Sequence, residues 1–234
     1  MKINICLLFI LFITLSCQDN TPISSPFDNQ EQQQEEASED TNIDSEGAGI
    51  KEEYINTNRV IWQKPEMILN MLGNLDQKVV ADLGCGESGY FSRRFAQKAM
   101  KVIALDVDPV ALAHLDSIRK FQIPEEIQSR IELRTTPEDL PNLEEEETDI
   151  VFISNTYIYL PDRISYLNTL RTKLKAGGRV MIIDFKKKRT PFGPPSQIRV
   201  PLYRVEQELE EAGFSTVQTN DTALDYQYIV IAYK

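Results

Sequence analysis

Histidine is close to absent. The 234 residues include one, His114, and three cysteines, Cys6, Cys17 and Cys85. Zinc sites draw on Cys and His donors at close spacing, so this donor set argues against a metal centre. His114 reads as an ordinary flank residue of a helix. Positive charge is in deficit: 25 Lys and Arg face 36 Asp and Glu, a net charge of −11. Phosphate binding needs clustered cations, so the balance argues against nucleic acid as the main partner. No apolar run reaches the ~20 residues of a comfortable membrane span. Internal repeats are lacking too.

What is present falls into three parts. Met1-Lys2 is followed by an almost wholly apolar run, Ile3 to Ser16, and then by Cys17. The run has the size of a signal-peptide core. Thr14-Leu15-Ser16-Cys17 resembles the lipobox of bacterial lipoproteins. The resemblance implies that Cys17 is lipidated, becomes the mature N-terminus and anchors the protein to a membrane of the cell envelope. The alternative is a cytoplasmic protein that keeps Met1. Residues 18–50 are rich in Gln, Glu, Asp, Ser and Asn and cannot bury enough surface to offset ordering entropy. They read as an acidic tether, leaving residues 51–234 as one domain. Cys6 would leave with the signal and Cys17 would carry lipid. Cys85 is then without a disulfide partner, a small residue under a turn or a reactive thiol.

The most informative segment is Val79-Val-Ala-Asp-Leu-Gly-Cys-Gly-Glu-Ser-Gly-Tyr-Phe91. An apolar strand ends at Asp82; a turn with Gly84, Gly86 and Gly89 follows; a helix is expected over 88–98. Glycines let the backbone bend and a ligand approach without Cβ clashes, so bulk at Gly84 or Gly86 should enter ligand space. A second apolar strand, 101–106, ends in Asp106, placed to bind a ribose diol. Gly84-x-Gly86-x-x-Gly89 followed by that acid also fits a dinucleotide fingerprint.

Strands are expected at 78–82, 101–106, 131–134, 149–154 and 179–184, the last entered by a turn at Ala176-Gly177-Gly178. Helices alternate with them. Asp108-Pro109 supplies a cap and a first-turn proline for one of these helices. Strands at 215–219 and 226–233 have no helix between them and pair as a hairpin. The fold class is therefore α/β, a doubly wound, mainly parallel Rossmann-like sheet with an antiparallel C-terminal hairpin. Asp82, Asp106, Asn155 and Asp184 fall near the C-terminal strand ends, where such sheets bind ligands.

Residues 59–234 resemble a class I S-adenosylmethionine-dependent methyltransferase. The resemblance rests on Trp62-Gln63-Lys64-Pro65, Ala81-Asp82-Leu83-Gly84-Cys85-Gly86, Ala104-Leu105-Asp106-Val107-Asp108, Asp149-Ile150-Val151-Phe152, Leu174-Lys175-Ala176-Gly177-Gly178-Arg179 and Ile183-Asp184-Phe185. It implies S-adenosylmethionine as cofactor. It implies that Asp82, Leu83, Gly84, Cys85 and Gly86, with Gly89, hold the methionine part, that Asp106 binds the ribose and that Val107 packs on adenine. Asn155 would lie near the transferred methyl. Many relatives carry an acid near adenine where this chain has Thr136; Glu138 and Asp139 are close enough to substitute. Relatives of this subgroup often read Thr-Tyr-His-His where this chain has Thr156-Tyr157-Ile158-Tyr159.

With those histidines missing, Asn155, Tyr157, Tyr159 and Asp184 are the polar candidates for the acceptor side. Lys186-Lys187-Lys188-Arg189 follows the fifth strand and could attract an anionic acceptor. The function expected is methyl transfer to a small-molecule or lipid-like acceptor. A non-catalytic binding lipoprotein and a nicotinamide-dependent oxidoreductase are the alternatives.

Overall fold

The computed structural model describes residues 58–234. The signal segment, Cys17, the tether and residues 51–57 lie outside the described residues.

Two short helices, α1 (Arg59–Gln63) and α2 (Pro65–Met71), precede the first strand. Lys64 joins them in a left-handed conformation, φ 48°, and Pro65 opens α2. Then come β1 (Val79–Leu83), α3 (Ser92–Phe95), β2 (Lys101–Asp106), α4 (Pro109–Gln122), α5 (Glu125–Gln128) and β3 (Ile131–Thr135). The second half holds β4 (Thr148–Ser154), a 3-10 turn (Tyr157–Tyr159), α6 (Arg163–Lys173), β5 (Leu174–Phe185), α7 (Leu202–Glu211), β6 (Ser215–Asn220) and β7 (Gln227–Tyr233).

These seven strands form one sheet in the order β3-β2-β1-β4-β5-β7-β6. β1 to β5 pair in parallel, and β7 runs antiparallel between β5 and β6. β1 is buried along its whole length, as befits a strand covered on both faces. Alternation sorts the side chains. Ala81, Ile103, Val151 and Ile182 pack with α6 and α7, whereas Val80, Val102, Phe152 and Met181 pack with α2, α3 and α4.

Two expected elements differ. α3 is four residues long rather than a helix over 88–98. Gly86 and Gly89 both have positive φ, 65° and 53°, which a right-handed helix cannot contain. Beyond α3 the chain closes turns of 3-10 type, Gln97 to Arg94 and Lys98 to Phe95. Likewise Ala176-Gly177-Gly178 does not separate two elements. It is an irregularity inside a 12-residue β5, where Thr148 opposes Leu174 and Ile150 opposes Arg179. A side chain at Gly178 would press on the Lys175 and Asp149 carbonyls, at 2.9 and 3.1 Å.

Candidate active site

The turn after β1 is sewn to β2. The amides of Gly84 and Cys85 both donate to the Leu105 carbonyl, at 2.8 and 3.0 Å. Asp106 completes the stitch. One carboxylate oxygen accepts the Gly86 amide at 2.8 Å and the other accepts the Asp108 amide at 3.1 Å. Its carboxylate is thereby oriented at the lip of the turn. Val107, next in the chain, is an apolar side chain left 49% exposed.

The three glycines have different jobs. A Cβ on Gly86 would meet nothing within 4 Å, so that turn faces open space. A Cβ on Gly84 would strike the Thr156 side chain at 2.2 Å, and one on Gly89 would strike Leu115 at 2.4 Å. The expectation that bulk at Gly84 meets only ligand is therefore corrected: Thr156, fixed through its hydroxyl to the Ser154 carbonyl at 3.1 Å, already lies there. Gly89 serves the close packing of α4 instead. Cys85 is buried, and burial, with Asp82 and Asp106 nearby, pushes its thiol far above the ordinary range. It is a packed residue rather than a reactive thiolate.

Asp82 is 3% exposed. Burial pushes its carboxyl up to about 6, against the Ser92 hydroxyl that donates to it at 2.5 Å and the positive charge of Arg59. Arg59 lies over the Tyr90 ring, 4.1 Å from its centroid, and its Nε donates to Gln63. An N-terminal helix thus brings a cation to the Asp82 end of the turn. Sequence reasoning missed both Ser92 and Arg59, since neither belongs to a spaced motif.

Gln63 has no exposure and explains the Trp62-Gln63 pair. Its amide donates to the Ser154 hydroxyl at 2.9 Å and to the Gln227 side chain at 3.1 Å. Gln227 in turn donates to the Asn155 side chain. Asn155, at φ 59°, is thus gripped by β7, and its backbone N–H donates to the Ile183 carbonyl at 2.9 Å. Trp62 packs on Phe185 and Phe192, 5.7 and 4.8 Å between centroids.

The four expected acceptor-side groups do not converge. Tyr157 is fully buried, its hydroxyl donating to Glu208 at 2.7 Å, and Arg163 holds the same carboxylate with two bonds of 2.8 Å. It is a core residue of the α6–α7 face. Asp184 is fully buried as well. It alternates with Val180 and Ile182 toward α6 and α7, whereas Asp82 and Asp106 share the parity of the other face. Burial pushes its carboxyl up to about 7 although the Phe185 amide donates to it at 2.7 Å; its second oxygen has no partner. Tyr159 is half exposed on the 3-10 turn. Glu138 and Asp139 are exposed on the loop after β3, beside a buried Thr136 whose hydroxyl donates to the Leu140 carbonyl at 2.9 Å.

The loop after β5 is a rigid wall. Buried Arg199 donates to the carbonyls of Pro194, Lys186, Lys188 and Phe192 and to the Thr190 hydroxyl. Lys187, Lys188 and Arg189 are presented outward from it. Lys186 instead caps the β6–β7 connection through the Leu224 carbonyl at 2.8 Å.

Residues 81–182 match the family described as a methyltransferase domain. The matched segment is a methyltransferase domain, and the fold around it is that of the class I S-adenosylmethionine-dependent methyltransferases. The solved structure of a SAM-dependent methyltransferase from Aquifex aeolicus superimposes with a TM-score of 0.71 at 23% identity, covering 80% of this chain and 97% of that one. One from Mesorhizobium loti gives 0.60 at 17% identity, covering 72% and 96%. Among relatives, an uncharacterized protein of Haemophilus influenzae is 30% identical over 128 residues, 54% of this chain and 49% of that one. A tRNA U34 carboxymethyltransferase of Aliarcobacter butzleri is 23% identical over 162 residues, 64% and 52% of the two chains. A ubiquinone biosynthesis O-methyltransferase of Aeromonas salmonicida is 28% identical over 141 residues, 59% and 54%. The chain spans about half the length of these curated relatives. The methyltransferase cofactor is S-adenosylmethionine, and the residues fit it: open space at Gly86, an oriented carboxylate at Asp106 and an uncovered Val107.

Proposed function

We propose that the protein transfers a methyl group from S-adenosylmethionine to a small-molecule or lipid-like acceptor that supplies its own ionised nucleophile. The observation that carries this is the Asp106–Gly86 stitch beside open space, a preformed cradle for a nucleoside. When bound, the sulfonium supplies a methyl carbon already activated by positive charge. The residues of this chain then have to bind, orient and exclude water. Asp82 would meet the ammonium, Asp106 the ribose hydroxyls and Val107 the base, with Glu138 and Asp139 at the outer rim.

Deprotonation falls to the acceptor because the candidate bases are otherwise engaged. Tyr157 donates to Glu208, Asp184 is buried on the opposite face, and His114 sits on α4 with its ring 3.6 Å from Glu87. An acceptor that ionises by itself, such as a thiol, a carboxylic acid or an acidic phenol, needs no base. Lys187, Lys188 and Arg189, held outward on the stitched loop, would favour its anion. The net charge of −11 supports a small acceptor over the tRNA named for some relatives. The signal segment supports anchoring to a membrane of the cell envelope through lipidated Cys17.

The same withdrawal of Tyr157 and Asp184 favours one other reading, a binding module without catalysis. Calorimetry with S-adenosylmethionine, S-adenosylhomocysteine and NAD tests the cofactor. Incubation with methyl-labelled cofactor and separate small-molecule, lipid and tRNA fractions tests the rest. Label in the first two supports the proposal. Label in tRNA overturns the acceptor class, and tight binding with no label anywhere leaves the binding module.

A further inference from the structure

Several arginines of the domain are matched with carboxylates: Arg119 with Asp116, Arg134 with Glu132 and Glu147, Arg163 with Glu208. Arg93 and Arg94 are not. They are consecutive on α3, both half-buried, and among the described residues neither makes an ion pair. With Glu66 and Gln97 they line a pocket of about 340 Å³. Arg94 is fixed in place: its Nη1 donates to the Tyr90 carbonyl at 2.6 Å and its guanidinium lies over the Tyr90 ring, 4.0 Å from the centroid. The Nε of Arg93 is buried with no hydrogen-bond partner. Burial, and then the neighbouring charge of Arg94, lower the pKa of Arg93. Glu66, the one acid on the lining, is 70% exposed and turned to Lys98 at 3.5 Å.

A chain of net charge −11 therefore holds two guanidiniums side by side around a concavity whose one acid, Glu66, is exposed and paired with Lys98. We propose that this pocket binds a small free oxyanion, a phosphate or a carboxylate, held by Arg93 and Arg94 with the Gln97 amide at the rim. Planar guanidinium forks match the paired oxygens of such groups, and an anion relieves the repulsion between the two cations. The site is built from α2, α3 and the turn after α3, and it borders the cofactor turn: the Arg93 amide donates to the Gly89 carbonyl at 3.0 Å, and Arg94 covers the Tyr90 ring that Arg59 also covers.

The test is a calorimetric titration of the full chain with inorganic phosphate, and separately acetate, at ionic strength held constant with potassium chloride. Saturable binding of at least one of them is expected, weakened tenfold or more in Arg93→Gln and in Arg94→Gln. Gln97 is exposed, so Gln97→Glu should keep the fold while adding a negative charge at the rim; it should weaken binding to the same degree. S-adenosylhomocysteine affinity, measured in the same samples, should stay within twofold, so failure here is separable from failure of the cofactor assignment. Absence of saturable binding of either anion above the chloride background overturns the proposal, as does binding that Gln97→Glu leaves unchanged.

Discussion

The carboxylate of Asp106 accepts the amide of Gly86 at 2.8 Å, so the acid at the end of β2 and the turn after β1 are one mechanical unit. On the proposed reading, removing the acid disturbs two things at once, the contacts to the ribose and the shape of the turn. Charge-assisted hydrogen bonds are worth roughly 1.5–3 kcal/mol each. Asp106→Ala should weaken S-adenosylhomocysteine at least tenfold. Asp108→Ala removes the cap on the Val110 amide, held at 2.8 Å, and should lower stability by about 1 kcal/mol with little change in affinity. Titration calorimetry and thermal melts distinguish the two; an exchange of phenotypes would misplace the ribose acid.

Gly86 and Gly84 should part company under substitution. Gly86→Val adds bulk to open space and should abolish cofactor binding while the protein stays folded, apart from strain at φ 65°. Gly84→Ala collides with Thr156 and should lower the melting temperature first. Pairing it with Thr156→Ser, which removes one of the clashing atoms, should recover part of the loss. Unchanged S-adenosylhomocysteine affinity in Gly86→Val removes the basis of the site.

Asp82 makes binding depend on pH. Its carboxyl is raised to about 6, from an ordinary value of 3.8, chiefly by burial. The unfolded chain gives up this proton first, so without ligand this group's contribution to stability falls as pH rises from about 4 to 6. An ammonium needs the ionised form, so affinity should be lost as pH falls through about 6, and binding near that pH should release a proton. Asp82→Asn should bind weakly and flatten the profile. Calorimetry in two buffers of different ionisation enthalpy measures the proton directly.

Tyr157 and Tyr159 differ by two positions and should differ in phenotype. Tyr157→Phe deletes one buried hydrogen bond and should lower stability by about 1 kcal/mol, leaving cofactor affinity within twofold. Glu208 keeps both of its Arg163 bonds in that variant. Tyr159→Ala, half exposed, should cost little stability and reduce methyl transfer. A Tyr157→Phe protein of normal stability without activity would return that phenol to the chemistry.

Cys17 decides the anchor. A lipoprotein cysteine carries more than one acyl chain, and several chains hold a protein on a membrane where one does not. The wild-type chain should take up radiolabelled palmitate and sediment with membranes, and Cys17→Ala should lose the label. Soluble protein that retains Met1 would sink the lipoprotein assignment.

β1 and β2 were legible because their apolar runs close on an acid, Asp82 and Asp106; β2 matches its expected bounds to the residue. The cap at Asp108 was legible for the same local reason. Asp184 was misplaced because nearness to a strand end says nothing about face, and its parity with Val180 and Ile182 turns it from the cofactor side. Gln63 could not be assigned a role, since its partners Ser154 and Gln227 lie far away in the chain. The loop after β5 reads as a string of prolines and cations; that Arg199 organises it depends on carbonyls which sequence does not display.

β7 is the last of the seven strands to be synthesised, yet it lies inside the sheet, between β5 and β6. Until Gln227–Tyr233 has been made, the apolar edge of β5, Val180 to Ile183, has no partner on that side. An unpaired apolar edge invites pairing with another chain. The sheet of this domain therefore cannot close until translation has passed residue 233.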